Sequence, residues 1–408
     1  MDQQDVAIVG GGLAGAKCAE QLRARGFPGQ ISIYAAEDHL PYERPPLSKD
    51  YLQGKTPFED ALVHNEAWYA EQRITVHTAT EVEAIDPASK TLRTAGGSAG
   101  WDKLILATGS VARHLPLPGA DAPNVYYLRT IEESTAIRGQ FGAGKRLAII
   151  GGGWIGLEVA AAARIAGTEV TILEGAPQPL LNVLGPEIAP VFAALHRDHG
   201  VTVRTGVRIT GLDVEDSQAT GVRLESGEIV PADAVVIGIG VAPDTRLAEQ
   251  AGLAVDNGVL VDAALATSDP NIWAVGDIAN HAHPVLGHRV RVEHWATALN
   301  QPAAVAASIM GTRTEYTELP YFFSDQYDLG MEYIGHAPNG SYDRIITRGE
   351  PDSLEFMAFW VDSSNRVLAG MNVNIWDVMD DFKALIVSQK AINPAKLLNP
   401  EVTLDQLL

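Results

Sequence analysis

Two short apolar runs, Val6-Ala7-Ile8-Val9 and Arg146-Leu147-Ala148-Ile149-Ile150, each break off at a cluster of glycines. Alanine-rich sequence with helical spacing follows both. A second apolar run then closes each unit: Gln30-Ile31-Ser32-Ile33-Tyr34 in the first and Glu169-Val170-Thr171-Ile172-Leu173 in the second. Strand, glycine turn, helix and strand make a βαβ unit. A complete unit that recurs at domain-sized separation predicts two related nucleotide-binding domains rather than a solenoid. Two further buried strands are predicted at Lys103-Leu104-Ile105-Leu106-Ala107, ending at Thr108-Gly109, and at Ala234-Val235-Val236-Ile237, ending at Gly238-Ile239-Gly240.

From about Pro320 the texture changes. Aromatics become denser and short alternating strands are predicted, such as Leu354-Glu355-Phe356-Met357-Ala358-Phe359. The expected fold is α/β, with two Rossmann-like dinucleotide-binding domains and an α+β C-terminal domain. The predicted order is a first dinucleotide domain in two parts, 1–110 and 241–319. The second dinucleotide domain lies between them at 111–240, and the C-terminal domain follows at 320–408.

Composition narrows the chemistry. A net charge of −21 argues against nucleic acid or an anionic membrane as a main partner. No apolar stretch approaches bilayer-spanning length. The opening Met1-Asp2-Gln3-Gln4-Asp5 has no basic leader segment, so a cytoplasmic location is expected. There is one cysteine, Cys18, in the first predicted helix, where a buried structural thiol is expected. One thiol makes no internal disulfide and no Cys-x-x-Cys pair, and it holds no iron–sulfur cluster. His281, His283 and His288 lie without metal-ligand phasing and read as solvated polar residues, so no metal is expected.

Both glycine clusters fit G-x-G-x-x-G: Gly10, Gly12 and Gly15 around Leu13-Ala14, and Gly151, Gly153 and Gly156 around Trp154-Ile155. The first glycine makes the tight turn and the second lets backbone approach a pyrophosphate. The third lets helix pack on strand. Either loop alone is weak evidence, but both occur in the full strand–turn–helix–strand–acid context, which predicts two bound dinucleotides. Glu174, directly after its strand, can accept hydrogen bonds from both ribose hydroxyls and would repel a 2′-phosphate. No Lys or Arg follows until Arg197, so NADH is expected over NADPH. In the first unit the acid arrives later, as Glu37 or Asp38.

Longer motifs resemble, over essentially the whole chain, the FAD-dependent NADH:ferredoxin reductases of the oxygenase-coupled type, the putidaredoxin reductase family. That family is related to apoptosis-inducing factor and the rubredoxin reductases. Leu40-Pro41-Tyr42-Glu43-Arg44-Pro45-Pro46-Leu47-Ser48-Lys49 is similar to the segment running along FAD. The resemblance implies Arg44 near the pyrophosphate and Lys49 beside the flavin ring. It also implies FAD contacts at Val82, at Ala107-Thr108-Gly109 and at Arg129 of Tyr127-Leu128-Arg129-Thr130. Asp277 of Trp273-Ala274-Val275-Gly276-Asp277 would hold the ribityl chain. Glu293-His294-Trp295 would pass the flavin's pyrimidine edge, with Trp295 the contact. On the second loop, Glu158 resembles the carboxylate facing the lysine, and Gly238-Ile239-Gly240 would border NAD. The chain departs from the family pattern at Ala36, where Glu37 substitutes as the adenosine-ribose acid. It departs again at Tyr321 and at Asn372-Val373-Asn374-Ile375-Trp376.

The implied activity is NADH oxidation through FAD, with Lys49 and Glu158 as catalytic residues. Electrons would pass to a small [2Fe–2S] ferredoxin serving a monooxygenase or dioxygenase. A rubredoxin is the alternative acceptor. An interaction or signalling role like that of apoptosis-inducing factor is the non-enzymatic alternative, marked by slow NADH oxidation that no carrier accelerates. Disulfide reductases and NADH peroxidases on this scaffold need a thiolate beside the flavin, and Leu47-Ser48-Lys49 has none. Arg289, Arg291, Arg313, Lys383 and Lys390 are candidate anchors for an acidic carrier.

Overall fold

The computed structural model describes residues 4–408, so Met1-Asp2-Gln3 of the opening segment lie outside the described residues. The chain forms two compact units. The first comprises the chain up to Arg44, Phe58–Val111 and Ala242–Pro320. The second comprises Pro45–Pro57, Ala112–Val241 and Tyr321–Leu408.

The first unit is built on a five-stranded parallel sheet in the order Ile272–Ala274, Lys103–Leu106, Val6–Val9, Ile31–Tyr34, Ile74–His77. Every residue of Val6–Val9 is buried, as expected for a parallel strand covered on both faces. The helix Leu13–Ala24 turns Leu13, Ala16, Cys18, Ala19 and Leu22 inward. Its small residues let it lie close to the sheet. The unit also holds two three-stranded sheets, one antiparallel from Val82–Asp86, Thr91–Thr94 and Gly97–Gly100, the other from Val259–Val261, Ala279–Ala282 and Arg289–Val290.

The second unit repeats the plan. Its parallel sheet runs Thr202–Arg204, Glu169–Leu173, Arg146–Ile150, Ala234–Ile237, Val125–Tyr126. The helix Trp154–Ile165 buries Leu157 through Ala163, Glu158 among them. The helical segment Leu181–Asp198 is broken at Gly185, whose φ is 79°. This unit also holds the antiparallel C-terminal sheet, ordered Tyr321–Gln326, Leu329–Gly335, Val367–Val373, Glu355–Val361, Arg344–Glu350. The helix Met379–Ser388 covers one face, with Phe382 5.2 Å from Phe359. A Cβ on Gly370 would stand 2.3 Å from the Phe382 ring, so the helix sits where only glycine leaves room.

Two expectations need correction. Glu355–Val361 alternates only as far as Ala358, with Phe356 and Ala358 buried between the exposed Glu355 and the half-buried Met357; from Phe359 to Val361 every residue is buried, in a strand interior to its sheet. His281 and His283 are not solvated. Both are buried, with Nε2 atoms on the backbone carbonyls of Ala263 (3.2 Å) and Glu318 (3.0 Å); His288 alone is exposed.

Candidate functional site

In the first unit, the strand Val6–Val9 delivers Gly10 into a turn at φ 125°. A Cβ there would lie 2.1 Å from the Ala107 carbonyl oxygen, and one on Gly15 would lie 2.1 Å from that of Gly10. These two glycines are required by the fold itself. Gly12 differs: a Cβ would meet nothing within 4 Å. It caps the helix Leu13–Ala24 with no side-chain hydrogen bond, and the first turn carries no acid, so the helix supplies no acceptor of its own to its first N–H groups. An open cradle at a positive helix end fits a pyrophosphate.

The first unit also holds Glu37, Arg44, Val82, Thr108, Asp277 and Trp295. Arg44 Nη2 donates to Glu37 Oε1 at 2.5 Å, Tyr42 OH donates to Glu37 Oε2 at 2.5 Å, and the guanidinium lies over the Tyr42 ring at 4.6 Å. Burial works against the Arg44 charge, yet Tyr42, Glu37 and Asp277 hold the guanidinium above its ordinary range. Tyr42 also pairs its backbone with Gly12. Sequence reading missed Tyr42, since one aromatic in a loop has no periodic signature. Ala107-Thr108-Gly109 leaves its strand with Thr108 Oγ1 donating to the Asp244 carbonyl at 2.8 Å. Asp277 follows Gly276, whose N–H donates to Gln301 Oε1 at 2.8 Å. Trp295 Nε1 donates to Glu43 Oε2 at 2.8 Å, and Glu293 accepts from Arg291 at 2.5 Å. His294 caps the helix Trp295–Ile309. Val82 is buried in the hydrophobic core.

The second unit's cradle has the same construction. Cβ atoms on Gly151 and Gly156 would lie 2.3 Å from the Gly238 oxygen and 2.2 Å from the Gly151 oxygen, whereas Gly153 meets only the Gly238 oxygen, at 4.0 Å. The helix Trp154–Ile165 also lacks a side-chain cap and a first-turn acid. Trp154 packs edge-on against Phe192 and Phe322, and Ile155 is exposed. Glu174 accepts from the N–H groups of Gly152 and Ala176, both at 2.6 Å, which pins its carboxylate against the glycine turn. Gly238 N–H donates to the Ile150 carbonyl, Ile239 packs on the hydrophobic core, and Gly240 turns at φ 95°. Arg129 N–H donates to Glu133 Oε2 at 2.7 Å, inside the capping box that starts the helix Ile131–Arg138.

The same unit brings Lys49 and Glu158 together. Lys49 Nζ and Ser48 Oγ both donate to the Glu158 carboxylate, and Ser324 Oγ donates to it at 2.7 Å. The pair is largely withdrawn from water, with side chains 13% and 7% exposed. A buried pair is tolerated when further hydrogen bonds satisfy the remaining lone pairs, as Ser48 and Ser324 do here. Neither serine was singled out by sequence reasoning: Ser324 lies 166 residues from Glu158, and no local pattern connects them. Of the candidate anchors, Arg313 pairs with Asp262 at 2.8 Å, Arg291 with Glu293, and Arg289 with backbone carbonyls. Lys390 donates to the Leu408 carbonyl oxygen, and Lys383 lies on the helix Met379–Ser388.

Residues 4–302 match the pyridine nucleotide-disulphide oxidoreductase family, and residues 321–408 match the reductase C-terminal family. The chain is 38% identical to the ferredoxin–NAD(+) reductase component of the anthranilate 1,2-dioxygenase system of Burkholderia cepacia, over the full length of both. It is also 38% identical to putidaredoxin reductase of Pseudomonas putida, over 99% of this chain and 96% of that protein. The crystal structure of the covalent putidaredoxin reductase–putidaredoxin complex superposes with a TM-score of 0.94, covering 99% of this chain and 98% of that one. The family description mentions disulphides, but the one cysteine here is buried in the first helix. The chain belongs to the pyridine nucleotide-disulphide oxidoreductase family, as an FAD-dependent oxidoreductase that uses NAD(H) and carries the reductase C-terminal domain.

Proposed function

We propose that the chain is an NADH-dependent reductase that passes electrons through FAD to a small [2Fe–2S] ferredoxin of an oxygenase system. Bound FAD would supply hydride acceptance from the nicotinamide and release of electrons one at a time, chemistry that no side chain supplies. The observation that carries the reading is the buried Lys49–Glu158 pair, in a chain whose one cysteine, Cys18, lies in the first helix.

Each residue's part follows from its surroundings. Gly12 and Leu13-Ala14 would receive the FAD pyrophosphate, with Arg44 supplying positive charge. Glu37 would take the adenosine ribose, its carboxylate already oriented by Tyr42 and Arg44. Asp277 and Glu293-His294-Trp295 would hold the ribityl chain and the flavin edge. Gly153, Trp154-Ile155 and Gly238-Ile239-Gly240 would line the NAD site. Lys49 would offset the negative charge gained on reduction, and Glu158 keeps the ammonium fixed.

NADH is favoured because Glu174 meets the ribose with a carboxylate, and the basic residue on the adjacent strand is committed elsewhere. Arg204 forks onto Glu228 through two contacts of 2.6 Å. Cys18 is excluded as a redox group: burial raises its thiol far above the range in which a thiolate forms. No described helix is long and apolar enough to cross a membrane, and a cytoplasmic site of action is part of the proposal.

The test is steady-state cytochrome reduction by the FAD-loaded protein with NADH or NADPH. Reduction that appears with NADH only after a [2Fe–2S] ferredoxin is added supports the proposal. A response to rubredoxin alone would reassign the acceptor. Slow NADH oxidation that no carrier accelerates would favour a signalling role.

A further inference from the structure

The strand Tyr321–Gln326 buries two polar side chains at alternate positions, Ser324 and Gln326, each 1% exposed. Strand alternation puts both on one face. Ser324 Oγ is 2.7 Å from Glu158 Oε1, and Gln326 Nε2 is 3.1 Å from Ser324 Oγ. Gln326 Oε1 is in turn 2.9 Å from Nε2 of His196, a fully buried residue near the end of Leu181–Asp198. Tyr327 OH lies 3.4 Å from His196 Nδ1, and its ring stacks on His199 at 3.7 Å.

The direction of every bond in this row follows from its end point. Glu158, paired with the Lys49 ammonium, is an ionised carboxylate and can only accept. Ser324 has one O–H, and it donates to Glu158. The Ser324 oxygen must then accept from the Gln326 amide nitrogen, which turns the amide oxygen toward His196. An amide oxygen only accepts, so His196 carries its proton on Nε2. Nδ1 is left bare and faces the Tyr327 hydroxyl. Burial agrees with this, pushing the imidazole down to about 4 and keeping it neutral.

We propose that Ser324, Gln326 and His196 are positioning residues for the Lys49–Glu158 pair: a one-way row of donors holds the carboxylate fixed, and His196 is locked as the Nε2–H tautomer. The row orients and does not conduct, because an amide cannot pass a proton while remaining an amide. The proposal rests on the reading of Lys49 and Glu158 as the pair that supports flavin reduction. It adds two elements distant in sequence, the strand Tyr321–Gln326 and the end of Leu181–Asp198, to what sets that pair's geometry.

The experiment uses the FAD-loaded holoenzyme, with 15N-histidine for NMR and stopped-flow mixing with NADH for flavin bleaching. In the wild type, His196 is expected as the single Nε2–H tautomer. Ser324→Ala should open the lock to a mixture of tautomers. It should also lower the limiting bleaching rate about ten-fold, without changing the NADH concentration at half-maximal rate; direct removal of a catalytic donor costs more. Ser324→Thr, which keeps the hydroxyl, should restore the rate. An Nδ1–H tautomer in the wild type would overturn the proposal, as would a Ser324→Ala rate within about two-fold of wild type. Glu158→Gln separates the two readings. If Glu158→Gln is slow and Ser324→Ala is normal, only the positioning row fails. If Glu158→Gln bleaches at the wild-type rate, the pair's assigned role fails and the row's with it.

Discussion

Alanine at Gly12 and alanine at Gly10 should do opposite things, although the residues are two apart in one loop. At Gly10, φ is 125° and a methyl would sit 2.1 Å from the Ala107 carbonyl oxygen, which is backbone and cannot yield. Strain and overlap together should cost more than ~4 kcal/mol, enough to endanger folding. At Gly12 the backbone is extended, with φ −95° and ψ −172°, and the methyl would meet nothing within 4 Å. Gly12→Ala apoprotein should therefore be as stable as wild type or more so by about 0.4–1 kcal/mol, because alanine restricts the unfolded chain. The empty space the methyl fills is the space assigned to the FAD pyrophosphate. Losing one charge-assisted hydrogen bond there is worth about 1.5–3 kcal/mol, or roughly a 10- to 150-fold weaker FAD affinity. The assay is flavin fluorescence on titrating apoprotein, alongside thermal melting of the apoprotein. A Gly12→Ala protein that binds FAD as tightly as wild type would refute the assignment of the cradle. A Gly12→Ala apoprotein as unstable as Gly10→Ala would refute the steric reasoning.

Glu174→Ala should narrow the preference for NADH over NADPH by at least ten-fold in kcat/KM, since the lost repulsion of a 2′-phosphate is worth about 1.4 kcal/mol or more; an unchanged ratio would show that Glu174 does not meet the ribose. His196 and His281 are both held neutral by burial, with folded values lowered to about 4 from 6.5. Below pH 6.5 the unfolded chain takes up protons that the folded chain refuses, so their contribution is whole above about 6.5 and fades as pH falls toward 4. The unfolding free energy from urea titrations should drop across that window, by an amount on the order of 2–3 kcal/mol per histidine, and a flat profile would contradict the burial. Cys18→Ala should keep carrier-dependent activity, whereas a loss of turnover in folded, flavin-loaded Cys18→Ala would reopen thiol chemistry.

Strands bounded by glycines were readable because buried parallel strands are short, apolar and sharply ended. Glu169–Leu173 and Ala234–Ile237 coincide with their predicted limits for this reason. In Glu355–Val361 the alternation is legible as far as Ala358 and the continuous burial beyond it is not, since whether a strand is interior to its sheet depends on partners distant in sequence. The burial of His281 and His283 was hidden for a related reason. Their carbonyl partners, Ala263 and Glu318, belong to other segments, and a histidine in an irregular stretch carries no sign of what will cover it. The shell around Glu158 was the least legible part. Ser48 and Ser324 reach the carboxylate, and Gln326 reaches Ser324, only after strand and helix have packed, and hydroxyls and amides have no spacing rule that announces such a meeting. Arg204 shows the converse. Counting along the chain from Glu174 passes over it, yet sheet pairing brings its backbone to within 2.9 Å of Glu174.

Anaerobic titration of the FAD-loaded protein with NADH, followed by rapid mixing with oxidised [2Fe–2S] ferredoxin, probes the whole electron path at once. The expected result is full bleaching at one NADH per flavin, then recovery of the yellow colour as each flavin reduces two ferredoxins. Protein that holds FAD yet stays yellow under NADH, or that bleaches but gives nothing to any carrier, would contradict the account.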